Sequence, residues 1–262
     1  MWIEIIYYLA IGAIAGTLSG LLGIGGGVIV VPLLVLVYTL QNISSSLVMH
    51  MAVATSLAAM IVTTGSAVFA HYRHGAKFGS LYRLLAPGIA IGALTGAIVA
   101  HKLPTNILQF VFGFFVLLIA LHMIASKESL KGSHRLPPAS MSYVIAFLIG
   151  TISSLLGLGG GTFVIPFLSY CNIKMHNAVG VSAACGLTIA FISSASLMLL
   201  GSTHGNLPSG STGYIYWPAV ISIAITSPFF AWFGAAVSYR LPVKRLRQIF
   251  AVFLLGVGIY ML

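Results

Sequence analysis

Residues 16–27 of this chain read GTLSGLLGIGGG and precede Pro32, and residues 150–161 read GTISSLLGLGGG and precede Pro166. The two stretches begin 134 residues apart (150 − 16), about half the length of the chain. A glycine triad followed five residues later by proline disfavours a regular helix, so each stretch predicts a break inside an apolar segment. In membrane transporters, paired breaks at matching places in two repeats are the sequence feature that best indicates a substrate site.

The composition is that of an integral membrane protein. Of the 262 residues, 59% are hydrophobic and 5% are charged, and the mean hydropathy is +1.09, whereas soluble domains contain roughly 25% charged residues. Backbone polar groups in lipid must be satisfied internally, and long continuous apolar runs suit helices better than alternating barrel strands. We therefore expect an all-α polytopic membrane protein, with apolar runs at residues 5–22, 47–70, 84–100, 107–125, 141–156, 178–200, 214–238 and 249–262.

The charged residues indicate a lipid environment rather than a nucleic-acid partner. The net charge is +10, but the 12 lysines and arginines fall in short connections between apolar runs, where membrane topology and anionic lipid explain them. Glu4 and Glu128 are the two carboxylates of the sequence, so no buried acidic pair is available. The two cysteines predict no disulfide framework. We expect no cofactor and no bound metal.

The sequence divides into two related halves. A polar connection at residues 126–140 separates residues 1–125 from residues 141–262, and we predict a first transmembrane repeat, a linker and a second transmembrane repeat with these bounds. Besides the glycine stretches, residues 50–56 (HMAVATS) match residues 176–182 (HNAVGVS).

Length and charge predict that each half begins with a helical hairpin broken at glycine. A continuous helix over residues 5–40 would be about 54 Å long, against a hydrocarbon core of roughly 30 Å. If both glycine segments fold back, Lys102 alone lies on one side of the membrane and the other eleven basic residues lie on the opposite side. The two repeats are then inverted, with both termini outside and the 126–140 linker in the cytoplasm. Whether each second arm crosses fully or is re-entrant stays open.

The glycine triads have two interpretations. They could simply let helices approach closely, as we expect of Gly12, Gly16, Gly92 and Gly96. Alternatively, the breaks lie near the midplane and turn the amide groups and positive dipole ends of two half-helices toward an anion. Nearby hydroxyls could line the same cavity, although each often bonds the carbonyl four residues back. We predict a substrate-binding set of Ser19, Gly25, Gly26, Gly27, Thr55, Ser56, Ser153, Ser154, Gly159, Gly160, Gly161, Thr162 and Ser182.

Three histidines are candidates for coupling proton movement to transport. His50 and His176 occupy matching positions in the two halves, and His71 ends a long apolar run. An ionisable group inside a membrane is by default a functional candidate. The alternative is that these histidines only lie at the membrane interface. His71 and His74 lack an accompanying carboxylate or thiol, so they are a weak metal site.

Three functions are compatible with these features. A transporter requires repeats, broken helices and a polar cavity, all of which the sequence predicts. An anion channel is an alternative, which saturation of the flux would distinguish. An intramembrane serine protease would need an activated serine. Ser19 within GTLSG distantly resembles a nucleophile loop, but no histidine is obviously paired with it and the motif recurs as Ser153 and Ser154. Duplication of a nucleophile makes little mechanistic sense, so we do not expect an enzyme.

The chain resembles the sulfite exporter TauE/SafE family of permeases, also described as four-toluene-sulfonate uptake permeases. The resemblance implies transport of sulfite, sulfoacetate or another organosulfonate across the bacterial cytoplasmic membrane, driven by an ion gradient. The partners it implies are a small sulfur-containing anion, membrane lipid and protons. It is carried by the glycine stretches and by residues 52–57 (AVATSL), 71–104 with Gly75, Pro87 and Gly96, 205–208 (GNLP), 213–216 (GYIY) and 240–246 (RLPVKRL).

Overall fold

The chain is helical almost throughout. The computed structural model describes residues 2–22, 26–73, 79–125, 136–202, 207–238 and 243–262. Within these ranges, six helices are long and apolar enough to cross a bilayer, namely α3, α4, α5, α6, α8 and α9. The expected all-α polytopic membrane fold is confirmed. Its elements are α1 (Trp2–Leu22), α2 (Gly27–Leu40), α3 (Val48–Arg73), α4 (Gly79–Lys102), α5 (Thr105–Ala125), α6 (Ala139–Leu156), α7 (Gly161–Tyr170), α8 (Met175–Gly201), β1 (Ser211–Thr212), β2 (Ile215–Tyr216), α9 (Trp217–Ser238) and α10 (Val243–Met261).

The first glycine segment folds back on itself. The Tyr8 hydroxyl, near the start of α1, donates a 2.9 Å hydrogen bond to Oε1 of Gln41, just after the end of α2. The helix α2 therefore returns to the end of the molecule from which α1 starts. Its 14 residues span about 21 Å and the 10 residues of α7 about 15 Å, both shorter than a hydrocarbon core of roughly 30 Å. Both second arms have the length of re-entrant half-helices.

The glycines, not the prolines, interrupt the helices. Pro32 and Pro166 lie inside α2 and α7, five residues after Gly27 and Gly161, which begin these helices. A proline at the sixth position of a helix removes one amide-to-carbonyl hydrogen bond, but both helices continue past it, to Leu40 and to Tyr170.

Both half-helices end in the same turn. Asn42 and Asn172 adopt the left-handed conformation, with φ of 55° and 58°. The amide of the following residue reaches back five positions in each case, from Ile43 to the Tyr38 carbonyl and from Ile173 to the Leu168 carbonyl, both at 3.1 Å. This bond and the left-handed asparagine are those of a Schellman cap. The two halves thus reproduce local backbone structure as well as sequence.

The two halves interdigitate. The helix α1 packs along α9, and α4 packs along α6. Glycines allow the close approach, because a Cβ added at Gly16 would overlap the backbone of Ser227 and one added at Gly92 would overlap the backbone of Phe147. The expected packing role of these glycines is therefore confirmed.

The third helices of the two halves pack side by side in opposite directions. His71 near the end of α3 contacts His176 at the start of α8, with ring centroids 6.2 Å apart. The fifth helices, α5 and α10, also pack in opposite directions. A Cβ added at Gly113 would lie 3.0 Å from Met261 Cβ, whereas one added at Gly258, earlier in α10, would overlap the side chain of Leu117, later in α5.

A short strand pair precedes α9. Ser211 pairs with Tyr216 and Thr212 with Ile215 in an antiparallel β1–β2 hairpin. The apolar run at residues 214–238 is therefore not one helix, because its first three residues belong to the hairpin and α9 starts at Trp217.

Candidate functional site

The second glycine break is a capped helix end followed directly by a new helix. Gly157 is left-handed with φ of +68°, and the Leu158 amide donates to the Ser153 carbonyl at 2.8 Å, which closes α6 with another Schellman cap. Two residues later, Gly160 is the N-cap of α7. In the first break, α1 ends at Leu22 and Gly26 is the N-cap of α2. The predicted site residue Gly25 lies outside the described residues.

The two breaks come together. A Cβ added at Gly27 would overlap the Gly157 carbonyl oxygen and would lie 3.1 Å from Leu158 Cα. The Ser56 hydroxyl donates a 3.2 Å hydrogen bond to the same Gly157 carbonyl, with both groups buried. Glycines from both halves and a serine from α3 therefore meet in the interior of the protein.

Each break also begins a helix that no side chain caps. The N-caps Gly26 and Gly160 have no side chain with which to accept from the first amides. The Gly26 carbonyl accepts from the Ile29 and Val30 amides, and the Gly160 carbonyl accepts from the Phe163 amide at 3.3 Å and from the Val164 amide at 2.8 Å. The first amides of any helix lie beyond the reach of its own i−4 carbonyls, and together they concentrate positive potential at the break.

The predicted hydroxyls around the second break have different partners. Ser154 is buried and donates to the Ala93 carbonyl of α4 at 2.8 Å, so it ties α6 to α4. Ser153 is fully buried, and its Oγ has no hydrogen-bond partner among the described residues. Thr162 is buried and takes part in an interaction with its surroundings. Ser182 is buried, and its carbonyl would lie 2.7 Å from a Cβ added at Gly160.

Three further residues complete the predicted set. Gly161 is the first residue of α7, and a Cβ added at Gly159 would overlap Cε of Met60. Ser19 is half-buried in the last turn of α1.

Thr55 belongs to a second cluster, made of tyrosines. Its hydroxyl oxygen accepts from the Tyr38 hydroxyl and from the Tyr216 amide, both at 3.1 Å. The rings of Tyr8, Tyr38 and Tyr216 contact one another edge-on, with centroids 5.9 to 6.4 Å apart. The β1–β2 hairpin of the second half therefore closes over Thr55 of the first half.

Tyr216 of this cluster also lines a cavity of about 390 Å³. Burial raises the pKa of Tyr216, and the nearby Glu4 charge raises it further, so the phenol is a neutral hydrogen-bonding group at physiological pH. The sequence analysis did not select the cavity or the tyrosines. A signal existed, because a phenol in a buried apolar stretch must find a hydrogen-bond partner. The cavity is lined by Glu4, Gln41, Asn42, Ile43, Ser44, Leu207, Pro208, Ser209 and Tyr216.

The three candidate histidines lie at opposite ends of the molecule. His50 is buried, and its Nε2 donates to the Leu103 carbonyl at 3.0 Å while Nδ1 lies 3.2 Å from the Thr105 hydroxyl. Its ring also contacts that of Tyr214 in the hairpin turn, with the two ring centroids 5.2 Å apart and the rings tilted by 32°. His176, its match in sequence, is exposed and contacts His71 instead. Equivalent sequence positions therefore have different surroundings.

The comparisons with known proteins identify the family. The family model described as "Sulfite exporter TauE/SafE" matches residues 8–261. The chain belongs to the TauE/SafE family. It is 36% identical over 262 residues to a "Probable membrane transporter protein" of Haemophilus influenzae, covering 100% of this chain and 99% of that one.

More distant TauE/SafE relatives cover almost as much of the chain. It is 25% identical to the probable membrane transporter protein YunE of Bacillus subtilis, over 95% of this chain and 93% of that protein. A probable membrane transporter protein of Methanocaldococcus jannaschii is 27% identical, over 96% of this chain and 93% of that protein. No solved structure matches. The protein is thus a multi-pass membrane transporter of the TauE/SafE type.

Proposed function

We propose that this transporter moves a sulfur-containing oxyanion, such as sulfite, sulfoacetate or another organosulfonate, and binds it between the two glycine breaks. The observation that carries the proposal is the contact of Gly27, which begins α2, with Gly157 and Leu158, which lie four and three residues before α7 begins at Gly161. No charged residue occurs in residues 19–30 or 150–165. Helix N-termini bind anions without a cationic side chain, so this place favours an oxyanion over a cation.

Two further observations support this place. The family description concerns sulfite, which is a small oxyanion. The buried Ser153 hydroxyl, in the last turn before the second break, has no partner in the described part of the chain. A buried polar group without a partner is costly, and an oxyanion that accepts from it would remove the cost.

The proposed mechanism is alternating access by two inverted repeats. The opposite directions of α3 and α8 and of α5 and α10 support the inversion, as do the matching Asn42 and Asn172 turns. In this conformation Tyr216 covers Thr55 at one end of the molecule, and the breaks are in contact. Rocking one half against the other would part the breaks, and withdrawing the β1–β2 hairpin would connect the site to the 390 Å³ cavity.

We place the protein in the bacterial cytoplasmic membrane, with the termini and the 390 Å³ cavity outside and the 126–140 linker inside. The distribution of lysine and arginine supports this orientation. Cysteines introduced by Ser133→Cys and Pro208→Cys, with Cys171 and Cys185 replaced by serine, test it. We expect an impermeant maleimide to label the Pro208→Cys protein on intact cells and the Ser133→Cys protein only after permeabilisation. Equal labelling of both on intact cells refutes the orientation.

Flux into proteoliposomes tests the substrate and the coupling. We expect saturable uptake of sulfite or sulfoacetate that a proton gradient accelerates, with His50, His71 and His176 as the candidate proton carriers. Sulfate and choline serve as a related anion and a cation for comparison. Uptake of choline but of no anion would refute the proposal, and flux that never saturates would indicate a channel.

A further inference from the structure

Met60 lies where the two breaks meet. It is near the middle of the 26-residue helix α3, about 19 Å from either end, and is 3% exposed. A Cβ added at Gly27 would lie 3.1 Å from its sulfur, and one added at Gly159 would overlap its Cε. The thioether therefore contacts a glycine from each break, at the place proposed for the anion.

The Met60 carbonyl accepts two hydrogen bonds, whereas the Met60 side chain makes none within the described part of the chain. The Met60 carbonyl accepts from the hydroxyls of Thr63 at 3.2 Å and Thr64 at 2.6 Å. Thr64 also lies against α8, because a Cβ added at Gly186 would be 3.4 Å from its Cγ2. A methionine side chain has three rotatable bonds and adapts to irregular spaces. The thioether can therefore change its rotamer without any change in the helix that carries it.

The second half has no counterpart of this side chain. Extending the match of residues 50–56 with residues 176–182 by four positions pairs Met60 with Gly186. A Cβ added at Gly186 would lie 3.1 Å from the Gly160 amide nitrogen, so α8 packs directly on its own break. Met60 is thus a side chain from one half placed between both breaks.

We infer that Met60 determines which anions the transporter accepts by limiting the size of the site. This inference rests on the proposed function. The thioether occupies the contact between the breaks in the closed conformation and turns aside to admit an oxyanion. The space gained by that rotation is small, so the site favours sulfite over sulfonates with bulky substituents. A shorter residue would leave permanent space, and a rigid aromatic residue would block it.

Initial flux rates of sulfite and 4-toluenesulfonate test the inference in proteoliposomes containing wild-type protein, Met60→Ala or Met60→Phe. We expect Met60→Ala to raise the ratio of toluenesulfonate to sulfite rates by about tenfold, in the range by which hydrophobic pockets discriminate size. Met60→Phe should lower both rates. Met51→Ala is the matched control, because Met51 is a fully buried methionine of the same helix and its variant should keep the wild-type ratio.

Thiol labelling provides a second measurement that does not depend on the flux of the alanine variant. In a Cys171→Ser, Cys185→Ser background, we expect Met60→Cys to react with an anionic methanethiosulfonate, and sulfoacetate to slow that reaction several-fold. An unchanged flux ratio in a folded Met60→Ala protein, or labelling that sulfoacetate does not slow, overturns the role of Met60. Absence of any anion flux in the wild type instead overturns the proposed function itself.

Discussion

The N-cap glycine of the first break has space beside it, whereas the N-cap glycine of the second break is tightly packed. Among the described residues, a Cβ added at Gly26 would make only ordinary contacts, at 3.9 Å to Val30 and 4.0 Å to Ala15. At the matching Gly160, a Cβ would lie 2.7 Å from the Ser182 carbonyl and 2.9 Å from the Gly186 amide. Near-identical sequences thus form one break with room beside its N-cap and one pressed against the next helix. A repeated motif can therefore supply helix-start amide groups from both halves, while the space for a bound anion lies beside the N-cap of only one half.

The largest expected effect is on transport, at the open break. Gly26 has helical dihedral angles (φ −70°, ψ −20°) that leucine adopts without strain. We expect Gly26→Leu to fold normally but to reduce anion flux about 100-fold or more, because its side chain would displace an anion bound by two amides at about 1.5–3 kcal/mol each. Gly65→Ala is a control in an uncrowded place on α3. Normal flux in the Gly26→Leu protein would remove the breaks as the binding site.

The next effect is on stability, at the packed break. Gly160→Ala places a methyl group against the backbone of α8, and overpacking of this kind costs about 1–3 kcal/mol. We expect a clear fall in the Tm of the detergent-solubilised protein for Gly160→Ala and little change for Gly26→Ala. Equal Tm values for the two variants would show that the breaks do not differ in packing.

The third prediction compares the neighbouring residues Thr55 and Ser56. Thr55→Val keeps the shape but leaves the Tyr38 hydroxyl and the Tyr216 amide without their acceptor, at about 1–3 kcal/mol for each buried donor. Ser56→Ala removes one donor, whose net contribution is about 1 kcal/mol. Thermal unfolding should therefore show a larger loss for Thr55→Val. The reverse order would contradict the closure of the hairpin over Thr55.

The smallest expected effect concerns the histidines. We expect His176→Ala to flatten the pH dependence of flux by a few-fold, because it removes an exposed imidazole whose ring contacts that of His71. His50→Ala should instead lower Tm, since it removes the contacts with Leu103 and Tyr214. Flux measured from pH 5 to 8 checks the first variant, and thermal unfolding checks the second. An unchanged profile in His176→Ala would exclude it as the proton carrier.

The sequence predicted the features that depend on local chemistry. Successive glycines disfavour a helix through the entropy of their own backbone, so the ends of α1 and α6 and the half-helices after them could be placed within a few residues. Apolar runs long enough to span a bilayer identified the membrane fold, because hydrophobicity is also a property of the local sequence.

Features that depend on contacts between distant segments could not be predicted in this way. The tyrosine cluster joins Tyr8, Tyr38 and Tyr216, whose proximity follows from how the halves interdigitate. Repeat matching paired His50 with His176, but the opposite directions of α3 and α8 bring His71 to His176. Met60 was passed over because an apolar residue in an apolar helix carries no signal of its own.

The packing of α1 on α9 constrains how the protein is made. Leu22 ends α1, and Trp217 begins α9, so 195 residues (217 − 22) separate a helix from its main neighbour. At a translation rate of about 5–20 residues per second, α1 is complete roughly 10–40 s before that neighbour exists. During this interval its glycine-lined face has to be shielded by lipid, by the insertion machinery or by a chaperone. Assembly of the first helix is therefore one of the last events in biogenesis.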